Sequence, residues 1–180
     1  PRRFGDISRT DEDGERLVTT PSYTAFLKIA EGCDNRCAFC IIPYLRGRYR
    51  SRTMEALLEE AKALADRGVK ELIVIAQDIT RYGIDLYHKQ MLGELLNELC
   101  KLPFHWIRLH YLYPDILGDD LIEVIARQPK IVKYIDIPLQ HSNDRILKAM
   151  NRHTTNAQIR ALLGKLRERI PGVVLRTSLI

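Results

Sequence analysis

Apolar runs of strand length alternate with amphipathic helical segments from residue 23 to the end of the 180-residue chain. The predicted strands span residues 23–29, 72–76, 106–111, 131–137 and 173–180. The predicted helices span residues 54–65, 91–100, 119–126 and 144–150, and a last one starts at a capping box formed by Thr155 and Gln158. Strict alternation of this kind needs βαβ crossovers, so we expect an α/β protein with a parallel sheet. Both a doubly wound sheet and an open (β/α) barrel fit the pattern.

Chemically distinctive residues follow the predicted strands. They are Cys33, Cys37 and Cys40 after the first strand, Gln77 and Asp78 after the second, His110 and Tyr111 at the end of the third, and Gln140 and His141 after the fourth. Because the carboxyl ends of parallel strands meet at one edge of a sheet or barrel, we expect a shared site there. The segments at Gln77 and Gln140 are also typical of plain structural turns.

Three cysteines lie within eight residues, in the run Gly32-Cys33-Asp34-Asn35-Arg36-Cys37-Ala38-Phe39-Cys40. Thiolates spaced so closely on one loop suit a polynuclear iron-sulfur cluster, because each sulfur reaches a different corner of one small cube. Three ligands leave one iron without a protein partner. As in catalytic metal sites with an open position, that iron can bind a small molecule directly.

A zinc site is the main alternative for these cysteines, and it needs a fourth ligand. Cys100 is the remaining cysteine, but it extends the apolar stripe of a predicted helix and is more simply a core residue. His105 or His110 could also complete a zinc site. A disulfide framework fits less well, because nothing else in the composition is typical of a small secreted scaffold.

The C-x3-C-x2-C spacing with Phe39 before the last cysteine resembles the radical S-adenosylmethionine (SAM) superfamily. The resemblance implies that Cys33, Cys37 and Cys40 hold a 4Fe-4S cluster, that SAM binds its open iron, and that Phe39 lies near the adenine. It also implies that SAM is cleaved to a 5'-deoxyadenosyl radical. It favours a partial (β/α)6 barrel over the doubly wound sheet, with about five of the six strands present and the carboxy-terminal part truncated.

Within that superfamily several stretches together resemble the methylthiotransferases, which replace C–H by C–S–CH3. The stretches are residues 30–33 with 37–43, residues 50–52, 76–78 with 82–83, 109–114 and 136–141. They are most similar to the branch that modifies the β-carbon of an aspartate in a small-subunit ribosomal protein, with two SAM consumed per product. The related tRNA-adenosine branch more often shows Gln-Asn, Ser-His-Pro and Pro-Val-Gln-Ser after the second, third and fourth strands. This sequence departs from all three, and that branch remains an alternative function.

Placement at strand ends leads us to assign Gln77, Gln140 and Arg176 to contacts with SAM or substrate, as a hypothesis. No catalytic residue is assigned. Arg108, Asp136 and Arg176 interrupt apolar strand sequences, and a buried charge is costly unless it is paired or meets a ligand. Either these three pair with one another inside the barrel, or one of them receives a carboxylate of SAM or substrate.

Arginines alternate through residues 46–52, in a segment too polar and glycine-broken for a core strand. They form either a solvated loop or an electropositive rim that attracts a carboxylate or phosphate and favours the reduced cluster. The composition, 46% apolar and 28% charged, is ordinary for a globular protein, and the net charge of +5 is compatible with a nucleic-acid-rich partner. A zinc-stabilised nucleic-acid-binding module is therefore the alternative from another class.

The resemblance also sets expectations for domains and partners. Residues 1–22 are expected to be a linker from an amino-terminal domain that carries a second 4Fe-4S cluster, and residues 23–180 an incomplete radical SAM core. A carboxy-terminal RNA-type domain is expected beyond it, so these residues alone should not methylthiolate a substrate. The expected partners are a small-subunit ribosomal protein, ribosomal RNA and an electron donor such as a flavodoxin. We expect a cytoplasmic protein without a membrane partner, because reduced thiols and the absence of a long apolar run indicate it.

Overall fold

The computed structural model describes residues 18–180, so most of the predicted linker, residues 1–17, lies outside the described residues. The strands are β1 (Thr24–Lys28), β2 (Ala30–Glu31), β3 (Arg50–Ser51), β4 (Glu71–Ile75), β5 (Trp106–Leu109), β6 (Ile131–Asp136) and β7 (Val174–Arg176). The helices are α1 (Ile42–Arg46), α2 (Met54–Asp66), α3 (Ile84–Tyr87), α4 (Leu92–Lys101), α5 (Asp119–Arg127), α6 (Asp144–Ala149) and α7 (Asn156–Arg169).

Five strands form one parallel sheet in the order β1-β4-β5-β6-β7. Each predicted strand is present, and the α/β class with about five βα strands is confirmed. Helices α2, α4, α5 and α7 pack side by side in the same order as the strands that they connect. This sequential order is what right-handed βαβ crossovers produce when they all place their helices on one side of the sheet.

The second, antiparallel pairing joins β2 to β3, and neither this ribbon nor the short helices α1 and α3 was predicted. Helix α1 has five residues and α3 has four, which is too short for a 3.6-residue apolar period to be recognised. The ribbon follows directly on β1. It therefore fixes the direction in which the chain enters the cysteine-containing loop.

The core lies between the sheet and the helical layer. Leu72 and Val74 of β4 are fully buried on that side, whereas Ile73 and Ile75 point to the other face and are partly exposed. Leu72 is opposite Ala25 of β1 and Ile107 of β5, both fully buried. One face of the sheet is thus closed by helices, and the other is open enough to carry a site.

Local signals in the sequence account for the helix starts. Thr155 accepts a hydrogen bond from the Gln158 backbone N–H and the Gln158 side chain accepts from Thr155, which is the predicted capping box. The Asn143 side chain accepts a hydrogen bond from the Arg145 backbone N–H at the start of α6. Among residues 18–180 no helix has the length and apolar character that crossing a membrane requires.

Candidate functional site

The three cysteines lie on one connection, residues 32–41 between β2 and α1, which we call the cysteine loop. Gly32 opens it with φ +80°, and a Cβ at this position would lie 2.1 Å from the Arg48 carbonyl oxygen. The Cys33 N–H donates to the Gly47 carbonyl at 3.3 Å, and the Cys40 N–H donates to the Cys37 carbonyl at 2.9 Å. A side chain at position 32 would therefore push the loop away from its neighbouring segment.

All three thiols are partly exposed, and the other two cysteines affect the pKa of the Cys33 thiol. Burial raises the pKa of the Cys33 thiol most, a hydrogen bond from the Asn35 backbone lowers it, and the charges of Asp78, Cys37 and Cys40 raise it. Phe39, between the last two cysteines, is 51% exposed. The loop thus carries three partly exposed thiols and one exposed aromatic ring.

The fourth ligand that a zinc site needs was predicted at Cys100, His105 or His110. Cys100 packs against the core from α4, as its apolar stripe indicated, and burial raises the pKa of its thiol. His105 contacts the Trp106 ring, and His110 Nδ1 lies 3.7 Å from Asp136 Oδ2. In the described part of the chain, no three Cys, His, Asp or Glu side chains are grouped so as to hold a metal ion.

A buried polar network ties the cysteine loop to the end of β4. The Asn35 amide donates to Asp78 Oδ2 at 2.9 Å and accepts from Arg81 Nε at 2.9 Å. Arg81 also pairs with Asp78 at 3.2 Å and with Asp115 at 2.9 Å, and Asp78 accepts from both the N–H and the hydroxyl of Thr80. Burial raises the pKa of Asp78, while the Thr80 and Asn35 hydrogen bonds and the Arg81 charge counteract that rise. These hydrogen bonds therefore hold Asn35, and with it the cysteine loop, against the end of β4.

Residues 150–152, after α6, hold the loop from its other side, and we call them the loop clamp. The Ala38 N–H donates to the Met150 carbonyl at 3.0 Å, and the Asn151 amide donates to the Arg36 carbonyl at 2.9 Å. Arg36 and Asn151 both have positive φ, at 48° and 54°. Three consecutive clamp residues thus face three consecutive loop residues, since Arg152 faces Cys37.

Arg152 is a buried arginine directed at the cysteine loop. Its side chain is part of a residue only 7% exposed, and its Nη1 lies 3.7 Å from Cys37 Sγ. Nη2 donates to the Pro138 carbonyl, and the guanidinium stacks 4.1 Å from the centroid of the Tyr113 ring. The Tyr113 hydroxyl lies 3.8 Å from the same sulfur. Two polar groups therefore face Cys37 from connecting segments far away along the chain.

Gln77, predicted to contact SAM or substrate, lies just after β4 and reaches back to β2. Its Nε2 donates to Glu31 Oε1 at 3.0 Å, and Lys28 Nζ donates to Glu31 Oε2 at 2.8 Å. The Gln77 Oε1 atom is buried and has no hydrogen-bond partner among the described residues. The Gln77 amide nitrogen is thus bound to Glu31, while its oxygen remains an unused hydrogen-bond acceptor among the described residues.

Gln140 and Arg176 lie at the carboxyl ends of β6 and β7. Gln140 has φ +73°, and its N–H donates to the Ser178 carbonyl at 2.8 Å. Arg176 Nη1 pairs with Asp136 Oδ1 at 2.7 Å, and its side chain is 51% exposed, whereas Asp136 is buried. Asp136 and Arg176 therefore pair with each other, as one of the two predicted arrangements had it.

Arg108 does not take part in that pair. Its guanidinium binds Glu71 on the neighbouring strand β4, with Nη2 2.7 Å from Glu71 Oε1. In the arginine segment, Arg52 pairs with Glu60 at 2.6 Å, while the largely exposed Arg46 and Arg48 approach Glu31 and Asp34 only at 3.8 Å. Within this segment Arg46 and Arg48 are thus largely exposed and only loosely paired, which fits a solvated loop as well as a positively charged rim.

The family model described as the radical SAM superfamily matches residues 27–180, which include the cysteine loop and all of the parallel sheet except residues 24–26 of β1. The chain belongs to the radical SAM superfamily. The predicted superfamily resemblance is confirmed.

Curated relatives of this radical SAM chain point to one branch. This chain is 61% identical over 169 residues to a ribosomal protein uS12 methylthiotransferase RimO from Caldanaerobacter subterraneus. The aligned region covers 93% of this chain and 38% of that protein. A second RimO, from Thermoanaerobacter, is 57% identical over 97% of this chain and 40% of that protein. The predicted resemblance to methylthiotransferases is confirmed, and the chain spans about two fifths of the length of these relatives.

Solved structures agree on the radical SAM fold. A radical SAM methyltransferase, TsrM from Kitasatospora setae, superposes with a TM-score of 0.73 at 17% identity, over 96% of this chain and 36% of that one. The cobalamin-dependent radical SAM enzyme OxsB has a TM-score of 0.67 at 16% identity, over 86% of this chain and 23% of that one. At such identities the likeness concerns the fold, and it confirms the predicted partial barrel.

Sequence reasoning missed several residues that surround the loop, namely Glu31, Asn35, Tyr113 and Arg152. Arg152 bonds to a residue 115 positions away, and its segment carries no motif that indicates a contact with a cysteine. Asn35 was visible within the cysteine run, but an asparagine in a loop is equally typical of a turn. Their roles follow from the tertiary structure alone.

Proposed function

We propose that residues 23–180 are the radical SAM core of a methylthiotransferase that converts C–H to C–S–CH3 at the β-carbon of an aspartate in ribosomal protein uS12. The observation that carries the proposal is the cysteine loop: three partly exposed thiols on one connection of a parallel sheet. The RimO relatives, 61% and 57% identical over nearly all of this chain, support the choice of reaction and substrate.

We propose Cys33, Cys37 and Cys40 as the ligands of a 4Fe-4S cluster. The donor set fits this group: the three thiols share one loop and are not grouped round a single metal ion, whereas a cubane takes each sulfur at a different iron. When bound, the cluster and SAM supply one-electron cleavage of the sulfonium and, from a second SAM, a methyl group. The residues of this chain hold the loop in place through Asn35 and the clamp.

Phe39, Gln77, Gln140 and Arg176 are proposed to contact SAM or substrate. Phe39 exposes its ring on the loop, where it can pack against an adenine. Gln77 offers a buried carbonyl oxygen without a partner among the described residues, which suits a donor on a ligand. Arg176 is half exposed beside buried Asp136 and can bind a carboxylate. Gln140 is supported by its place after β6.

For partners, we propose ribosomal protein uS12 as substrate, a contact with ribosomal RNA, and a flavodoxin-type electron donor in the cytoplasm. The net charge of +5 and the exposed Arg46 and Arg48 support an anionic partner near the loop. The RimO relatives support the ribosomal protein. The electron donor and location rest on the cluster chemistry that we propose.

The test begins with anaerobic reconstitution of the protein with iron and sulfide. We expect about four irons per chain and, after reduction, an electron paramagnetic resonance (EPR) spectrum that SAM changes. Q77A, Q140A and R176A should need more SAM for the same change, while K62A, on the surface of α2, should match the wild type. Stoichiometric zinc and a protein indifferent to SAM would instead support the zinc-stabilised nucleic-acid-binding module.

The substrate is tested in a chimera in which this chain replaces the matching segment of the Caldanaerobacter RimO. The chimera is incubated with SAM, reductant, and either uS12 or unmodified tRNA, and the products are analysed by mass spectrometry. We expect a methylthio group on an aspartate of uS12. A methylthiolated adenosine in the tRNA, with uS12 unchanged, would replace the proposed substrate by that of the tRNA branch.

A further inference from the structure

One residue of the loop clamp, Arg152, has surroundings that holding the loop in place does not explain. Arg152 is buried, although arginine is rarely buried unless it is paired. It lies 3.7 Å from Cys37 Sγ, and no carboxylate within hydrogen-bond distance of its guanidinium is present among the described residues. A guanidinium placed in the interior without a carboxylate needs another source of negative charge.

The geometry points to Arg152 as a positioning residue that donates an N–H···S hydrogen bond to the Cys37 sulfur of the cluster and makes the cluster easier to reduce. This inference rests on the proposed function. A hydrogen bond and a positive charge at a cysteinyl sulfur both favour the more negative, reduced form. Arg152 supplies both at one sulfur.

The guanidinium is held by two contacts of its own, and the residues before Arg152 are bound to the cysteine loop. Its direction is therefore set before any cluster binds. Nη2 donates to the Pro138 carbonyl at the end of β6, and the plane stacks on Tyr113 at 4.1 Å. The neighbouring residues Met150 and Asn151 bind Ala38 and Arg36 of the loop. A side chain held in this way loses little further entropy when it binds a sulfur.

One donor of Arg152 is still available. Its Nε is buried and has no hydrogen-bond partner in residues 18–180. Buried N–H groups are nearly always satisfied in native proteins, so an orphan donor on a side chain that contacts Cys37 suits a ligand with acceptor atoms. A sulfur-rich, negatively charged cluster supplies such acceptors.

The experiment compares the wild-type protein with R152M, R152K and R160M after anaerobic reconstitution. Reduced cluster is measured by EPR at a series of fixed potentials. At a potential where the wild type is half reduced, we expect R152M to show a ratio of reduced to oxidised cluster about tenfold lower, equivalent to about 59 mV for a one-electron couple. R152K keeps the charge but loses the fork, and should fall between the two.

R160M is the matched control, because Arg160 is an exposed arginine of α7 whose Nε binds Asn156 at 2.9 Å. It removes the same charge from an exposed helix surface, where its partner is Asn156 and not a cysteine, so its potential should equal that of the wild type. A cluster-loaded R152M with wild-type potential would overturn the inference. If R152M does not fold, R152K decides: a lower potential supports the inference and an unchanged one overturns it.

The two proposals fail in different ways. A wild-type protein that takes up no 4Fe-4S cluster defeats the proposed function, and this inference with it. A wild-type cluster whose EPR spectrum responds to SAM, together with unchanged potentials in the Arg152 variants, defeats this inference alone. If a folded R152M binds no iron, R152K is compared with the wild type instead: a lower potential supports the inference and an unchanged one overturns it.

Discussion

At the scale of single residues, two carboxylates that hold the cysteine loop, Asp78 and Glu31, have pKa values shifted in opposite directions. Burial raises the pKa of Asp78, so its contribution to stability falls as the pH rises through the range between its unfolded and folded values. For Glu31 burial also acts to raise the pKa, but the hydrogen bond and charge of Lys28, the Gly32 N–H and the Arg46 charge outweigh it and lower the pKa overall. Glu31 therefore stabilises the fold at neutral pH.

Because the pKa of Glu31 is lowered in the folded state, removing its charge should destabilise the fold. In E31Q the charge that attracts Lys28 is lost, so we expect a decrease in the free energy of unfolding on the order of 1 kcal/mol at pH 7. The unfolded state binds the proton first, at about pH 4.3, so the difference should shrink as the pH falls below that value. Urea unfolding at several pH values measures it, with E59Q, an exposed carboxylate of α2, as control. A difference that stays constant down to pH 3 would contradict the assignment.

At the scale of elements, the ribbon of β2 and β3 delivers the chain into the cysteine loop through Gly32. Its φ of +80° and the 2.1 Å approach of Arg48 O to a would-be Cβ leave no room for a side chain. We expect G32A to lose several kcal/mol of stability or to displace the loop, because strain at positive φ costs about 1–3 kcal/mol before the overlap is counted. Iron uptake after reconstitution should fall at least tenfold.

The control for that prediction is G164A. Gly164 lies inside α7, and a Cβ there would meet no atom within 4 Å. Alanine in a helix interior is favoured over glycine by about 0.5–1 kcal/mol, so G164A should raise the free energy of unfolding and leave iron uptake unchanged. Equal iron uptake in G32A and G164A would show that the approach of Arg48 does not constrain the loop.

How far the sequence predicts these elements depends on the range of the interactions involved. The capping box of α7 and the cysteine spacing are local, and both are visible in a few consecutive residues. The contact between Arg152 and Cys37 depends on the fold bringing the segment after α6 beside the loop after β2, a separation of 115 residues. No local pattern encodes such a pairing, so Arg152 could only be found once the strand order was known.

At the scale of the whole molecule, the site depends on the sheet as one cooperative unit. The cysteine loop, Gln77 and the clamp follow β2, β4 and α6, and their separation is set by strand pairing and the core beneath, together with the hydrogen bonds of Asn35 and the clamp. Leu72 is central to that core, since it is fully buried in β4 and lies between Ala25 of β1 and Ile107 of β5. A change at Leu72 should reach every part of the site.

We therefore expect L72A to lower the free energy of unfolding by about 2–5 kcal/mol, through lost transfer energy and the cavity that remains. L86A is the matched control, since Leu86 is 40% exposed and its truncation should cost within about 0.5 kcal/mol. Far-UV circular dichroism follows the helices, and fluorescence of Trp106, the single tryptophan, follows β5. In a single cooperative unit the two signals change together in both variants. Transitions that separate in L72A would mean that the strands holding Cys37, Gln77 and Arg152 unfold independently, and that strand pairing alone does not keep the site assembled.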